Sequence, residues 1–252
     1  MNARTKQLQL TVESRQLQDA ASCIFHTLLL HRTTGKFHYS TDVNYKIGCI
    51  GLQEIQCEEI DLTYVRVNSP ELISDVEKSV SDIGEAVRNS TKTGFVVGSS
   101  PKSNTSSPSP SVRLYGIEKW ETLMTAPMKL EFYQKRKRQW PMPEDHSPWE
   151  VWDLNLEVVK IESTEDFTPM REYVGERLGE IVLNICQCMN RSQYMPAMPS
   201  RDSLADVFDD RFSDCEPYLY RIDSDLISKP NDLNSRSNYM MRLLRDTMKF
   251  TG

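Results

Sequence analysis

Residues 152–158 read WDLNLEV, and this stretch decides the fold. Trp152, Leu154, Leu156 and Val158 alternate with Asp153, Asn155 and Glu157. A period of two puts the apolar side chains on one face of an extended chain and the polar ones on the other, so the spacing predicts a strand covered on one side only. Just upstream, LEFY (130–133) reads as another strand. Near the start, KQLQLTV (6–12) alternates in the same way through Leu8, Leu10 and Val12. Tyr45 to Leu52 and the alternation Ile60, Leu62, Tyr64 read as two strands of one antiparallel sheet. Tyr218, Tyr220, Ile222 and Leu226 supply a further strand.

Three longer segments carry the helical period instead. Leu17, Ala20, Ala21, Ile24 and Leu28 form the first stripe, with Ser14 available as N-cap and Gly35 as a stop. The second opens at Ser69-Pro70-Glu71, where Ser69 suits the N-cap and Pro70 the first helical position. Its stripe is Leu72, Val76, Val80, Ile83 and Val87. The third spans 169–190, with Pro169 near its start and Val174, Leu178, Ile181, Val182, Ile185 and Met189 on one side. Strands and helices do not alternate regularly, which disfavours a parallel doubly wound sheet. The expected architecture is α+β: a single domain over 1–252, with three long helices packed on an antiparallel sheet. No internal repeat is present.

The chain has 252 residues, a net charge of −6 and 38% apolar residues, a low apolar share that implies part of the length is disordered. The Ser- and Pro-rich stretch GSSPKSNTSSPSPS (98–111) points to a disordered insert over roughly 92–127. Its three Ser-Pro steps, at Ser100, Ser107 and Ser109, are candidate phosphorylation positions, although such steps are common in any linker of this kind. The acidic balance argues against a dedicated duplex-binding surface, whose affinity would come from neutralising phosphates. No apolar run approaches the roughly 18 residues that a membrane span needs, and MNARTKQLQL has no apolar signal core. The expectation is a soluble intracellular chain whose six cysteines are reduced packing residues.

The search for chemistry is brief. His26 and His31 lie five apart, so on a helix they diverge and cannot grip one ion. There is no HExxH and no CxxC, and Cys186 and Cys188 do not converge on a helix. GFVVGSSPK (94–102) lacks the spacing of a phosphate-binding loop, and no GxSxG elbow occurs. No metal, cofactor or catalytic residue is expected.

The most unusual segment is the loop expected at 135–149. Lys135, Arg136, Lys137 and Arg138 form a basic run, followed at once by Trp140-Pro141-Met142-Pro143. Two prolines around Met142 stiffen the chain and remove backbone donors. A stiff loop can hold Trp140 and Met142 out in water as a binding hot spot, or Trp140 can fold back over the core as Trp149 and Trp152 are expected to do. The basic run reads as a solvated strand end, a nucleic-acid contact or a membrane contact, the first being the commonest case. The tail, 236–250, interleaves Arg236, Arg242, Arg245 and Lys249 with Met240, Met241, Leu244, Met248 and Phe250. It suits a final strand or a short basic amphipathic helix, which can lie on anionic lipid or dock on a partner but more commonly packs on its own domain.

Several of these stretches together resemble one family. LLLHRTTGKFHY (28–39), DLTYVRV (61–67), LEFYQKRKRQWP (130–141), PWEVWDL (148–154), VGERLGEIVLNI (174–185), MNRSQYMPAMP (189–199) and EPYLYRI (216–222) are similar, in order, to the autophagy-related protein 101 family, small HORMA-domain subunits of the autophagy-initiation kinase complex. The resemblance implies a HORMA fold, no catalysis and no cofactor. It implies a cytoplasmic adaptor, recruited to sites of autophagosome formation, that pairs with and stabilises the HORMA domain of autophagy-related protein 13. Surfaces that include the third helix would make the pairing. The family also carries a protruding loop tipped by Trp-Pro-Phe, the WF finger, which recruits downstream factors. The matching positions are Trp140, Pro141 and Met142, with Met142 replacing the usual ring by a flexible thioether. The insert at 92–127 is the second departure from the family. The alternatives are a homodimeric or peptide-capturing HORMA adaptor, marked by a peptide strand beside 216–227, and a lipid or nucleic-acid binder using Lys135 to Arg138 and the basic tail.

Overall fold

The computed structural model describes residues 3–39, 45–92, 120, 122–136, 145–189 and 195–224. The main sheet has four strands: β1 (Arg4–Glu13), β7 (Thr122–Arg136), β8 (Asp145–Val159) and β10 (Tyr220–Ser224), in the order β1-β8-β7-β10. β7 is antiparallel to both of its neighbours, whereas β1 runs parallel to β8. The sheet is therefore mixed, which corrects the all-antiparallel expectation. A parallel pair needs a long crossover, and here α1 (Leu17–Leu30), α2 (Pro70–Lys92), all but one of the small strands, and β7 itself lie between β1 and β8.

Those small strands form three two-stranded ladders. β2 (Thr33–Gly35) pairs with β9 (Cys215–Pro217), β3 (Phe37–His38) with β4 (Lys46–Ile47), and β5 (Leu52–Gln56) with β6 (Thr63–Val67). The strand expected over Tyr45–Leu52 is thus only two residues long, and of the Ile60, Leu62, Tyr64 alternation only Tyr64 lies in a strand, β6, paired antiparallel with β5 outside the main sheet. Gly35 does not stop α1; it lies in β2, where a Cβ would come within 2.2 Å of the Gly48 carbonyl oxygen.

The period-two patterns map onto one sheet face. Leu10, Leu156 and Ala126 lie in one cross-strand row, and Trp152, Leu130 and Ile222 in another. Trp152, Leu154, Leu156 and Val158 are all buried, while Asp153, Asn155 and Glu157 on the other face are only half-buried. The apolar face carries the helices. α1 is buried nearly all round, because it lies against α2, β6 and α3 (Thr164–Met189). Its N-cap is Gln16 rather than Ser14. The buried Gln16 side chain accepts from the Glu13 N–H and donates to the Glu59 carbonyl, whereas Ser14 Oγ turns to Glu13 Oε1. In α2, Ser69 faces the Leu72 N–H as an N-cap and donates to Asp214 Oδ1 at 2.6 Å, and the expected stripe is buried throughout. α3 begins at Thr164, before the expected 169, and Pro169 sits inside it without ending it.

Two expected boundaries move. Residues 122–127 belong to β7 and pair with β8, so they do not belong to a disordered insert, and α2 runs to Lys92. Residues 93–119 and 121, with Ser100, Ser107 and Ser109, lie outside the described residues, as do Leu226 and the tail at 236–250. Cys23, Cys57 and Cys215 are buried as expected, but Cys49 is exposed and Cys186 and Cys188 are half-exposed; all six are free thiols.

Candidate functional site

The site grows out of β7 and β8, the two longest strands. β1 pairs with β8 only from Glu150 onward, and β10 reaches β7 only as far as Phe132. The β7–β8 ladder continues past both, through Tyr133↔Pro148, Gln134↔Ser147, Lys135↔His146 and Arg136↔Asp145. Tyr133 is still held, because its N–H donates to the Leu219 carbonyl at 3.0 Å. Beyond it, a two-stranded ribbon overhangs the sheet by three residues on each strand, about 10 Å at strand rise. A register irregularity between Phe132 and Tyr133 marks its root.

This shortens the loop expected at 135–149. Lys135 and Arg136 are strand residues on β7, half-buried and exposed respectively, and 145–149 belong to β8. Trp149 is buried among Phe132 and Tyr218, and Trp152 faces the core, both as expected. Lys137, Arg138, Trp140, Pro141 and Met142 fall in the connection 137–144, which lies outside the described residues.

The ribbon root is built from aromatic and charged groups. The Tyr133 ring stacks on His146 at 4.8 Å, and the Arg221 guanidinium sits 5.9 Å from the Tyr133 centroid. Arg221 is itself tied to Glu131 at 2.7 Å and to Asp223 at 3.4 Å. Burial, and then the Asp209 carboxylate, push the Tyr133 phenol up, so it stays neutral and available as a donor.

Behind the root lies an ion pair that the sequence reading missed. Glu150 is in register with Phe132 and Tyr220, so its side chain falls on the covered side of the sheet. Arg32, just past the end of α1, meets it with Nε 2.7 Å from Oε2, and both side chains are at most 2% exposed. Arg32 Nη1 also donates to the carbonyls of His31 and Met189, the latter ending α3, and its guanidinium lies 5.6 Å from the Trp149 ring. Its own carbonyl accepts from the Tyr218 N–H. One residue thus joins the C-terminal ends of two helices to the strand that carries the ribbon, and a cation suits those ends because carbonyl dipoles converge there. The signal was present in the sequence: Glu150 lies between Trp149 and Val151-Trp152, where no solvated carboxylate would be expected.

A second surface lies on the outer side of α3. Leu183 is 64% exposed, and Val182 and Cys186 beside it are half-exposed. A Cβ placed on Gly179 would meet nothing within 4 Å. Residues 179, 182, 183 and 186 share one helix face by spacing, so α3 shows solvent a shallow apolar strip with a gap at Gly179. On its flank, His31 Nε2 lies 3.4 Å from Cys186 Sγ, and burial, followed by the Arg32 charge, lowers the His31 pKa.

A groove of about 480 Å³ runs between α2 and the 211–212 turn. Its Glu71 accepts from the Ser213 N–H, its Asp75 from the Tyr220 hydroxyl, and its Arg211 is held by Asp209. Among the described residues, no group of three or more His, Cys, Asp or Glu is placed to hold a metal ion, and no helix is long and apolar enough to cross a membrane.

Residues 9–202 match the model of the family described as Autophagy-related protein 101. Proteins of that name align with this chain over 248 residues, covering 98% of it and 99% of their own length. Identity is 38% for the Xenopus tropicalis protein and 37% for those of Homo sapiens and Bos taurus.

Proposed function

Because the chain belongs to the autophagy-related protein 101 family, we propose that it serves autophagosome formation as a non-enzymatic adaptor of HORMA fold. In this reading it binds the HORMA domain of autophagy-related protein 13, and through it the initiation kinase complex. It works in the cytoplasm and at the sites where autophagosomes form. By binding only the folded partner, it stabilises that partner through mass action. The observation that carries the reading is the alignment over nearly the whole of both chains at 37–38% identity, which spans every element of the fold.

Two features of the structure support the division of labour. The outer strip of α3, with Leu183 exposed and Gly179 open, suits an apolar partner surface. The overhanging β7–β8 ribbon suits a stalk that carries Trp140, Pro141 and Met142 as the recruiting finger.

The test is light scattering after size-exclusion chromatography, on the chain alone and mixed with the HORMA domain of autophagy-related protein 13. The expected result is a one-to-one complex that survives Trp140→Ala and weakens at least ~10-fold with Leu183→Arg, a charge placed where the partner would desolvate it. A folded homodimer that ignores the added HORMA domain at micromolar concentration overturns the proposal.

A further inference from the structure

The helices pack on the apolar face of the main sheet, and the polar face carries a pattern of its own. One cross-strand row on it reads Gln7, Asp153, Lys129, Asp223. The next reads Gln9, Asn155, Pro127, and a third reads Thr11, Glu157, Thr125. Asp153, Asn155 and Glu157 lie half-buried in the middle of the sheet. A hollow of about 250 Å³ opens on this face, and Gln7, Lys129, Asp153, Asn155 and Asp223 are among the residues that line it.

The charges of this face are unbalanced. Arg221 is taken by Glu131 and Asp223. Glu157 accepts from the neutral Gln9 amide and Thr11 hydroxyl. Asp153 makes no hydrogen bond or ion pair with any described residue, although Lys129 is beside it in register. A partly desolvated carboxylate gains from any cation that reaches it. The chain leaves β10 at Ser224, next to Asp223 on the rim of the hollow. The sequence then carries Arg236, Arg242, Arg245 and Lys249 against one carboxylate, Asp246, over 236–250. The stretch from Ser224 to Arg236 can reach roughly 40 Å when extended. The sheet is only about 15 Å wide, at three strand spacings.

We propose that the C-terminal segment 236–250 docks on the polar face of its own sheet, pairing its cations with Asp153, Glu157 and Asp223. The choice of occupant follows from charge and tether. An acidic face repels an anionic membrane or a nucleic acid. A tethered segment acts at an effective concentration in the millimolar range, which a second copy does not match at micromolar protein. Three partly exposed pairs, each worth about 1.5- to 5-fold, make a latch that salt or a competing polyanion releases.

The test uses the full-length chain at micromolar concentration, with carbodiimide labelling of carboxylates read by mass spectrometry. Exposed Glu172 on α3 is the internal reference. The expected result is that Asp153 and Glu157 label about threefold faster, relative to Glu172, at ~500 mM salt than at ~50 mM. Arg242→Glu/Arg245→Glu/Lys249→Glu should show the fast rate at both salt concentrations. Without added amine, the same reagent should link Lys249 to Asp153, Glu157 or Asp223. In a mixture of ¹⁴N and ¹⁵N protein, those links should join residues of one isotope only. Adding Asp153→Lys/Glu157→Lys to the tail variant should restore the link between the same positions with their charges exchanged. Labelling that ignores both salt and tail charge overturns the proposal, as do Lys249 links confined to other surfaces. Links that mix isotopes assign the face to a second copy and overturn it too. The salt comparison needs no substitution, so a variant that fails to fold leaves the test intact.

Discussion

Replacing Arg32 by methionine removes the guanidinium that faces Glu150 while keeping most of the side-chain volume. Glu150 is fully buried, and the pair is 2.7 Å apart. Without the guanidinium, the carboxylate stays on the core side of β8, and the His31 and Met189 carbonyls each lose a donor. Breaking a buried pair by removing one partner costs about 3–5 kcal/mol, because an uncompensated charge is left in a low-dielectric interior. For a chain of this length, that lowers the melting temperature by roughly 6–20 °C. The assay is urea unfolding followed by far-UV circular dichroism on the parent, Arg32→Met, Glu150→Leu and the double variant. Each single variant should lose stability, and the double variant should recover most of it, since a packed apolar pair can replace a buried ion pair at little cost. A loss below about 1 kcal/mol in Arg32→Met, or strictly additive effects, would refute the argument that the pair is a coupled lock on the ribbon root.

Other consequences can be measured on the same material. His26 is 1% exposed on α1, stacked on Tyr64 at 6.2 Å, and burial with the Arg66 charge lowers its pKa to about 4. The unfolded chain therefore binds the extra proton first, so stability falls as pH drops from about 6.5 towards 4, by about 3 kcal/mol at most. His26→Leu should flatten that part of a stability–pH profile, and an unchanged slope would sink the assignment. Along α3, a Cβ on Gly175 would lie 2.8 Å from the Asp61 carbonyl oxygen, whereas one on Gly179 would meet nothing. Gly175→Ala should destabilise by about 1–3 kcal/mol, and Gly179→Ala should stabilise by up to about 1 kcal/mol. Thermal melts of the two variants shifting in the same direction would contradict this packing.

What the sequence determined was the set of elements and their buried faces. Trp152 to Val158 announce a one-sided strand and Leu72 to Val87 a one-sided helix, because period and face are local properties of a backbone. The cap at Ser69 was legible for the same reason, and the resemblance carried by the quoted stretches placed the chain in its family. Tertiary structure decided what depends on partners far along the chain. Whether β1 meets β8 parallel or antiparallel leaves the alternation of Leu8, Leu10 and Val12 unchanged, so periodicity is silent on it. The strand ends at Arg136 and Asp145 come from a ladder that outruns its neighbours, a matter of relative strand length that no single segment records. Arg32 and Glu150 are separated by 118 residues, and neither has a reason to be buried until the fold places Glu150 on the covered face and α1 ends opposite it. Local pattern sets which side of an element avoids water. Register and pairing, which are long-range, set which side chains then meet.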